Sequence, residues 1–172
     1  MYVSLDGVVE DPSWTAPFWD DQLSGMQEEY LYSSEALVLG RVTYEGFAAA
    51  WPAMEESTGD FGRKMNSMPK HVASRTLHEA EWNATIIDGD VAAAVARLKE
   101  SADGDLLIYG SGDLVDELTR HRLIDEYRLM LHPVLVGSGK KLFATIGETL
   151  PLALEDVQTT DTGVAVLTYR LP

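Results

Sequence analysis

At 172 residues, with 45% hydrophobic residues and four tryptophans, the chain has material for one folded domain and is short for two. Its formal charge of −15, from 28 acidic against 13 basic residues, argues against nucleic acid and anionic membrane surfaces as partners. With no cysteine, disulfides, thiolate metal sites and a cysteine nucleophile are excluded, and no apolar run approaches the ~20 residues of a membrane span.

Met1 is not followed by a basic region and an apolar stretch of the secretory kind, so a cytoplasmic protein is expected. The segment Tyr2-Val3-Ser4-Leu5 alternates like a strand and stops at the turn signal Asp6-Gly7. Residues 8–18 carry Pro12, Trp14, Pro17 and Phe18 in a loop long enough to be a lid. Asp20 or Asp21 opens a helix to about Ser33, with Leu23, Met26, Tyr30 and Leu31 as its apolar stripe.

Ala36–Leu39 reads as a buried strand ending at Gly40, with Thr43 capping a short helix that has Glu45 in its first turn. Lys70–Ala73 and Ala84–Ile87 are further strands, entered through Pro69 and closed by Asp88-Gly89. Asp90 caps a helix in which Val91, Val95 and Leu98 follow the 3.6 period. The apolar run Leu106-Leu107-Ile108-Tyr109 meets Gly110-Ser111-Gly112, and a helix with Leu114, Val115 and Leu118 follows to about Arg122. Residues 126–136 read as a long strand in which Pro133 requires a bulge or an edge position. Residues 152–158 and 164–171 then flank a hairpin loop. The order gives one domain, 1–172, with a mixed sheet, parallel early and antiparallel late, covered by helices.

Several motifs fail on spelling or context. Gly110-x-Gly112 lacks the third glycine of a Rossmann fingerprint, since Val115 stands there, and antiparallel strands follow it. Val136-Gly137-Ser138-Gly139-Lys140-Lys141 lacks two positions of a P-loop. His71, His78, His121 and His132 are scattered, so no metal site is expected, and no Gly-x-Ser-x-Gly elbow supports a serine hydrolase.

Three strand ends remain. Gly40-Arg41-Val42-Thr43 offers an arginine, a hydroxyl and a helix start to an anion. Ser74-Arg75-Thr76 places two hydroxyls around a guanidinium, a local site for a phosphate monoester such as the 2′-phosphate of NADPH. Gly110-Ser111-Gly112 points backbone amides above a sheet. The structural alternatives are that Gly40 ends a strand, Thr43 caps a helix and Arg75 pairs with Glu79. Ligands of open α/β sheets nevertheless gather at the carboxyl ends of parallel strands.

Ser4-Leu5-Asp6-Gly7, Gly40-Arg41-x-Thr43-Tyr44-Glu45, Ser74-Arg75-Thr76, Gly110-Ser111-Gly112-x-Leu114 and Leu123-Ile124-Asp125-Glu126 occur in the order seen in one family. The whole chain resembles the dihydrofolate-reductase-like reductases, especially the reductase domain of riboflavin-biosynthesis deaminase–reductases and its stand-alone relatives. The resemblance implies an eight-stranded, mostly parallel mixed sheet with an antiparallel C-terminal hairpin, flanked by helices. It also implies NADPH as hydride donor and a homodimer. By that pattern Gly40, Arg41 and Thr43 contact the pyrophosphate region, and Ser74, Arg75 and Thr76 hold the 2′-phosphate. Gly110, Ser111, Gly112, Asp113 and Leu114 would wrap the pyrophosphate.

The expected activity is NADPH-dependent reduction of a small heterocycle or aminopyrimidine, like a 5-amino-6-(5-phosphoribosylamino)uracil reductase. Dihydrofolate reductase activity, and a non-catalytic NADPH-binding module on the same fold, are the alternatives. Asp6 is the first candidate for a substrate-contacting or proton-relaying carboxylate, with an Asp-Gly turn as its structural alternative. Asp20 is the second, with helix capping as its alternative. Trp14, Phe18, Trp19 and Trp51 are candidates for an aromatic wall around a planar substrate, or for core and lid packing.

Overall fold

The computed structural model describes residues 1–172. In chain order its elements are β1 (Tyr2–Ser4), α1 (Asp21–Tyr32), β2 (Ser34–Gly40), α2 (Arg41–Ser67), β3 (Lys70–Ala73), β4 (Ala84–Ile87), α3 (Val91–Ser101), β5 (Asp105–Leu107), α4 (Gly112–Arg120), β6 (Glu126–His132), β7 (Ala153–Thr159) and β8 (Ala165–Arg170). A short 3-10 helix, Pro12–Phe18, precedes α1. Two compact units result: residues 26–114 form one, and residues 1–25 with 115–172 form the other.

The 26–114 unit is built on a four-stranded sheet in the order β4-β3-β2-β5, parallel throughout. β2 is buried along nearly its whole length, as a strand covered on both faces must be, and so reads as a continuous apolar run. Its register pairs Gly40 with Ala73 of β3 and Leu37 with Leu107 of β5, which brings three strand ends to one edge. Leu31, Leu37, Leu39, Tyr44, Met65, Met68 and Val72 form the core beneath.

The other unit has the order β1-β6-β8-β7, with β1 parallel to β6 and the remaining pairs antiparallel. The expected single eight-stranded sheet is thus corrected to two sheets of four. β1 and β5 have only three residues each, and their ladders are taken up by β6 and β2 respectively. The parallel-then-antiparallel order holds.

Two element boundaries also differ from expectation. Residues 126–136 do not form one strand: β6 stops at His132, because Pro133 brings no N–H to the ladder. The helix after Gly40 is not short. It runs 27 residues, broken at Gly59, whose φ of 60° and ψ of −128° suit only glycine. The break folds the chain back, so that Asn66 Nδ2 donates to Glu55 Oε2 at 2.6 Å and to the Trp51 carbonyl at 3.3 Å.

Lys70 is the charged group buried at the start of β3, 1% exposed. Its ammonium donates to the Asn66 carbonyl at 3.0 Å and lies 4.0 Å from the centre of the Trp82 ring. Burial pushes the amine down to about 8. Neither neighbour is a carboxylate, so desolvation of the charge is only partly offset. We expect Lys70→Met to equal wild type in stability at neutral pH or exceed it by about 1 kcal/mol, measured by urea unfolding. The unfolded chain binds more protons than the folded one between pH 8 and about 10.4. Wild-type stability therefore rises across that window relative to Lys70→Met, and any advantage of the variant narrows.

Candidate functional site

Gly40 ends β2 and precedes the first turn of α2 with no side-chain cap, so the first amides of α2 face outward unclaimed by a carboxylate. Its own N–H donates to the Gly110 carbonyl at 3.2 Å. A Cβ at position 40 would overlap Ser111 Oγ and lie 3.1 Å from Ser111 Cβ and 3.2 Å from its backbone nitrogen. A Cβ on Gly110 would lie 3.0 Å from Thr43 Oγ1. The two glycines let β2, the start of α2 and the 110–112 turn close on one another. The Gly110–Ser111 peptide bond is cis.

Thr43 therefore does not cap the helix, as its sequence position suggested. Gly40 is the N-cap, and Thr43 lies one turn in, its hydroxyl beside Gly110. Arg41 is exposed and paired with Glu45 at 2.8 Å, an ordinary i,i+4 surface pair. Asp113 falls in the first turn of α4, where its negative charge complements the helix dipole. Leu114 is buried, 5% exposed, and serves the core. Of the two helix starts, α2 is the one without an acidic first turn, and the better suited to an anion.

One strand away, Ser74 Oγ accepts from Thr76 N at 3.2 Å and Leu77 N at 2.9 Å, forming a tight turn just after β3. A hydroxyl that accepts twice still has its proton to donate. The turn leaves Arg75 and Thr76 exposed. Arg75 makes no ion pair, so the alternative of a pairing with Glu79 is not what forms. The far end of this loop is fixed by Tyr44 of α2, whose hydroxyl accepts from Glu81 N at 2.8 Å and donates to Glu81 O at 3.1 Å.

The two candidate carboxylates lie in the other unit. Asp6 accepts from Ser4 Oγ (2.7 Å), Val136 N (3.1 Å) and Gly137 N (2.8 Å). These hydrogen bonds, led by that of Ser4, pull its carboxyl down to about 2. It is ionised at neutral pH and clasps the turn after β1 to the 136–137 backbone. Glu10 repeats this at Lys140 N (3.2 Å), so the 136–141 segment is a fastened loop with no helix behind it. Asp20 caps α1 through Leu23 N (2.8 Å) and also accepts from Thr162 Oγ1 (2.9 Å). Its carboxyl is held below the usual range, chiefly by the Leu23 amide.

The aromatic candidates divide between the units. Trp14 and Phe18 meet the buried His132 edge-on, with ring centres 5.4 and 5.9 Å away. His132 Nδ1 donates to the Met130 carbonyl at 2.9 Å, and burial pushes the imidazole down, so the ring stays neutral. Trp19 packs on Tyr2. Trp51 belongs to a different group, with Phe47, Phe61 and Tyr109. Sequence reading missed those three, although the spacing Thr43-Phe47-Trp51, four and four, was there to find. No cluster of three His, Asp or Glu stands within metal-binding reach of one another, and no helix is long and apolar enough to cross a membrane.

Gly40→Ala is expected to destabilise the protein by about 1–3 kcal/mol, because Ser111 must be displaced. Gly46→Ala, in open space on the same helix, should stabilise it by about 0.5–1 kcal/mol. Chemical unfolding of both variants checks the contrast. For Asp6 the folded carboxyl lies below its unfolded value, so its stabilisation is present above about pH 4. It fades as pH falls through about 2. The advantage of wild type over Asp6→Asn in thermal melts should therefore shrink between pH 4 and 2.

Comparison with known proteins agrees with this architecture. Two proteins of Bacillus subtilis (strain 168), the uncharacterized proteins YyaP and YwjB, are 26% and 29% identical to the chain. These matches span 99% and 89% of this chain and 92% and 85% of theirs. A putative riboflavin biosynthesis protein from Shewanella sp. PV-4 superposes with a TM-score of 0.79 at 22% identity, covering 99% of this chain and 95% of its own. A Thermotoga maritima diaminohydroxyphosphoribosylaminopyrimidine deaminase/5-amino-6-(5-phosphoribosylamino)uracil reductase superposes with a TM-score of 0.69 at 14% identity. There the match covers 99% of this chain and 55% of the larger protein. The RibD C-terminal domain family matches residues 1–166, and with nearly the whole length accounted for, the chain belongs to that family.

Proposed function

We propose that this chain is a reductase that takes hydride from NADPH and delivers it to a small planar heterocycle of the aminopyrimidine kind. The observation that carries the reading is Arg75. In a chain of net charge −15 it stands exposed, without a carboxylate partner, on a turn fixed by Ser74 at the carboxyl edge of a parallel sheet. A phosphate monoester meets there a guanidinium, the Ser74 proton and the Thr76 hydroxyl. The paired strand ends at Gly40 and Gly110 leave the first amides of α2 and the Thr43 hydroxyl for a pyrophosphate.

When bound, the nicotinamide cofactor supplies the hydride. The chain's own contribution is binding and orientation. The amides of residues 41–43 and 112–114 would hold the pyrophosphate, while Ser74, Arg75 and Thr76 select the phosphorylated adenosine. Asp6, ionised and gripped by three donors, fixes the loop after β1 to residues 136–137 and has no proton to give. Asp20 is likewise committed, to the start of α1 and to Thr162. The proton that completes the reduction then comes from solvent.

Titration with NADPH and NADH, followed by tryptophan fluorescence, tests the reading. Arg75→Ala should weaken NADPH by roughly 10- to 150-fold, the loss of a charge-assisted contact of about 1.5–3 kcal/mol, and leave NADH nearly unchanged. Equal losses for the two cofactors would make the arginine structural, and failure of wild type to bind NADPH would remove the proposal.

A further inference from the structure

Residues 74–83 join β3 to β4, and Arg75 shares that loop with two carboxylates, Glu79 and Glu81, four and six residues on. In a loose loop of this composition either carboxylate could fold onto the guanidinium and compete with a phosphate for it. The structure holds them apart, for Arg75 enters no ion pair and stands exposed.

The restraint comes from the far end of the loop. Tyr44 is buried in the first turn of α2, one residue after Thr43. Its hydroxyl accepts from Glu81 N at 2.8 Å and donates to the Glu81 carbonyl at 3.1 Å. That carbonyl also accepts from Ala84 N at 3.2 Å, closing a turn whose central residues, Trp82 and Asn83, have φ of 56° and 55°. Two successive left-handed residues mark a type I′ turn, and a side chain as bulky as tryptophan is strained there. Such strain persists only where the surroundings over-determine it. Here Trp82 Nε1 donates to Asn66 Oδ1 at 2.7 Å, its ring lies 4.0 Å from the Lys70 ammonium, and Asn83 Nδ2 donates to the Ser67 carbonyl at 2.8 Å.

The Tyr44 hydroxyl is not needed to satisfy its partner. Glu81 is exposed, so water could serve its amide and carbonyl, and the net gain in stability from these bonds is small. What the hydroxyl adds is a fixed place for the turn. With Ser74 closing the near end on Thr76 N and Leu77 N, the loop is pinned at both ends before any ligand arrives.

We infer that Tyr44 is a positioning residue for phosphate recognition: by clamping Glu81 it holds the loop's own carboxylates off Arg75 and leaves the guanidinium to the cofactor's 2′-phosphate. The inference rests on the reductase reading and its preference for NADPH. One side chain then ties the start of α2, where the pyrophosphate would lie, to the loop that selects the phosphorylated adenosine.

Calorimetric titration of wild type and Tyr44→Phe with NADPH and with NADH reads the ratio of the two dissociation constants. Tyr44→Phe should cut the preference for NADPH about three- to tenfold, with NADH affinity within about twofold of wild type. Added to Arg75→Ala, it should change that variant's ratio no further, because its effect runs through the arginine. Glu79→Gln with Glu81→Gln should raise the preference more in Tyr44→Phe than in wild type. Trp82→Phe, which gives up the bond to Asn66, should lower the preference in the same direction and serves alone if Tyr44→Phe does not fold. A preference that survives these changes, equal weakening of both cofactors, a further drop on top of Arg75→Ala, or no larger gain from the two glutamines would each overturn the inference and leave the reductase reading standing. A wild type that binds the two cofactors equally defeats the phosphate reading of Arg75, and the inference with it.

Discussion

The candidate site depends on two backbones approaching without side chains between them. Gly40 ends one strand and Gly110 follows its neighbour, and the space a Cβ would need at each is filled by Ser111 and Thr43 respectively. This contact sets where α2 begins relative to the 110–112 turn, which amides are left facing outward, and where the Thr43 hydroxyl lies. A helix start buried against such a turn normally needs a capping side chain. Here Gly40 supplies none, and the unclaimed amides are the physical basis for expecting an anion.

Charge explains why the rest of the anion site has to be local. With 28 acidic residues the mean field of the chain repels phosphate, so attraction must come from groups held within a few ångströms. Five of the eight arginines are paired: Arg41 with Glu45, Arg63 with Asp60, Arg120 with Glu117, and Arg128 and Arg170 with Glu126. Arg75 is not among them and stands exposed on the Ser74 turn.

Much of this was legible in the residues, for identifiable reasons. Strands β2, β3 and β4 are short segments marked by Gly40, Pro69 and Asp88-Gly89, and their limits follow those signals within a residue or two. Asp90 was readable as a cap because the periodic pattern starts at once, and its Oδ1 does accept from Ala93 N. The division into two four-stranded sheets was not readable, since pairing partners are not encoded in the apolar pattern of three-residue strands such as β1 and β5. The reversal at Gly59 was hidden inside a helix-compatible sequence, and with it the meeting of Trp51 and Phe61. Asp6 showed the limit of motif reading in another way: an Asp-Gly pair announces a turn, but not that Val136 and Gly137, 130 residues on, would saturate its carboxylate.

The central claim is that the edge formed by Gly40, Ser74, Arg75 and Gly110 recognises the phosphorylated adenosine end of a dinucleotide. Calorimetric titration of the whole protein with 2′-phospho-ADP-ribose and with ADP-ribose tests it without any contribution from nicotinamide or acceptor. The account predicts that the 2′-phosphorylated ligand binds at least about tenfold tighter and that the advantage falls as salt is added. Equal affinity for the two ligands at low salt would contradict it.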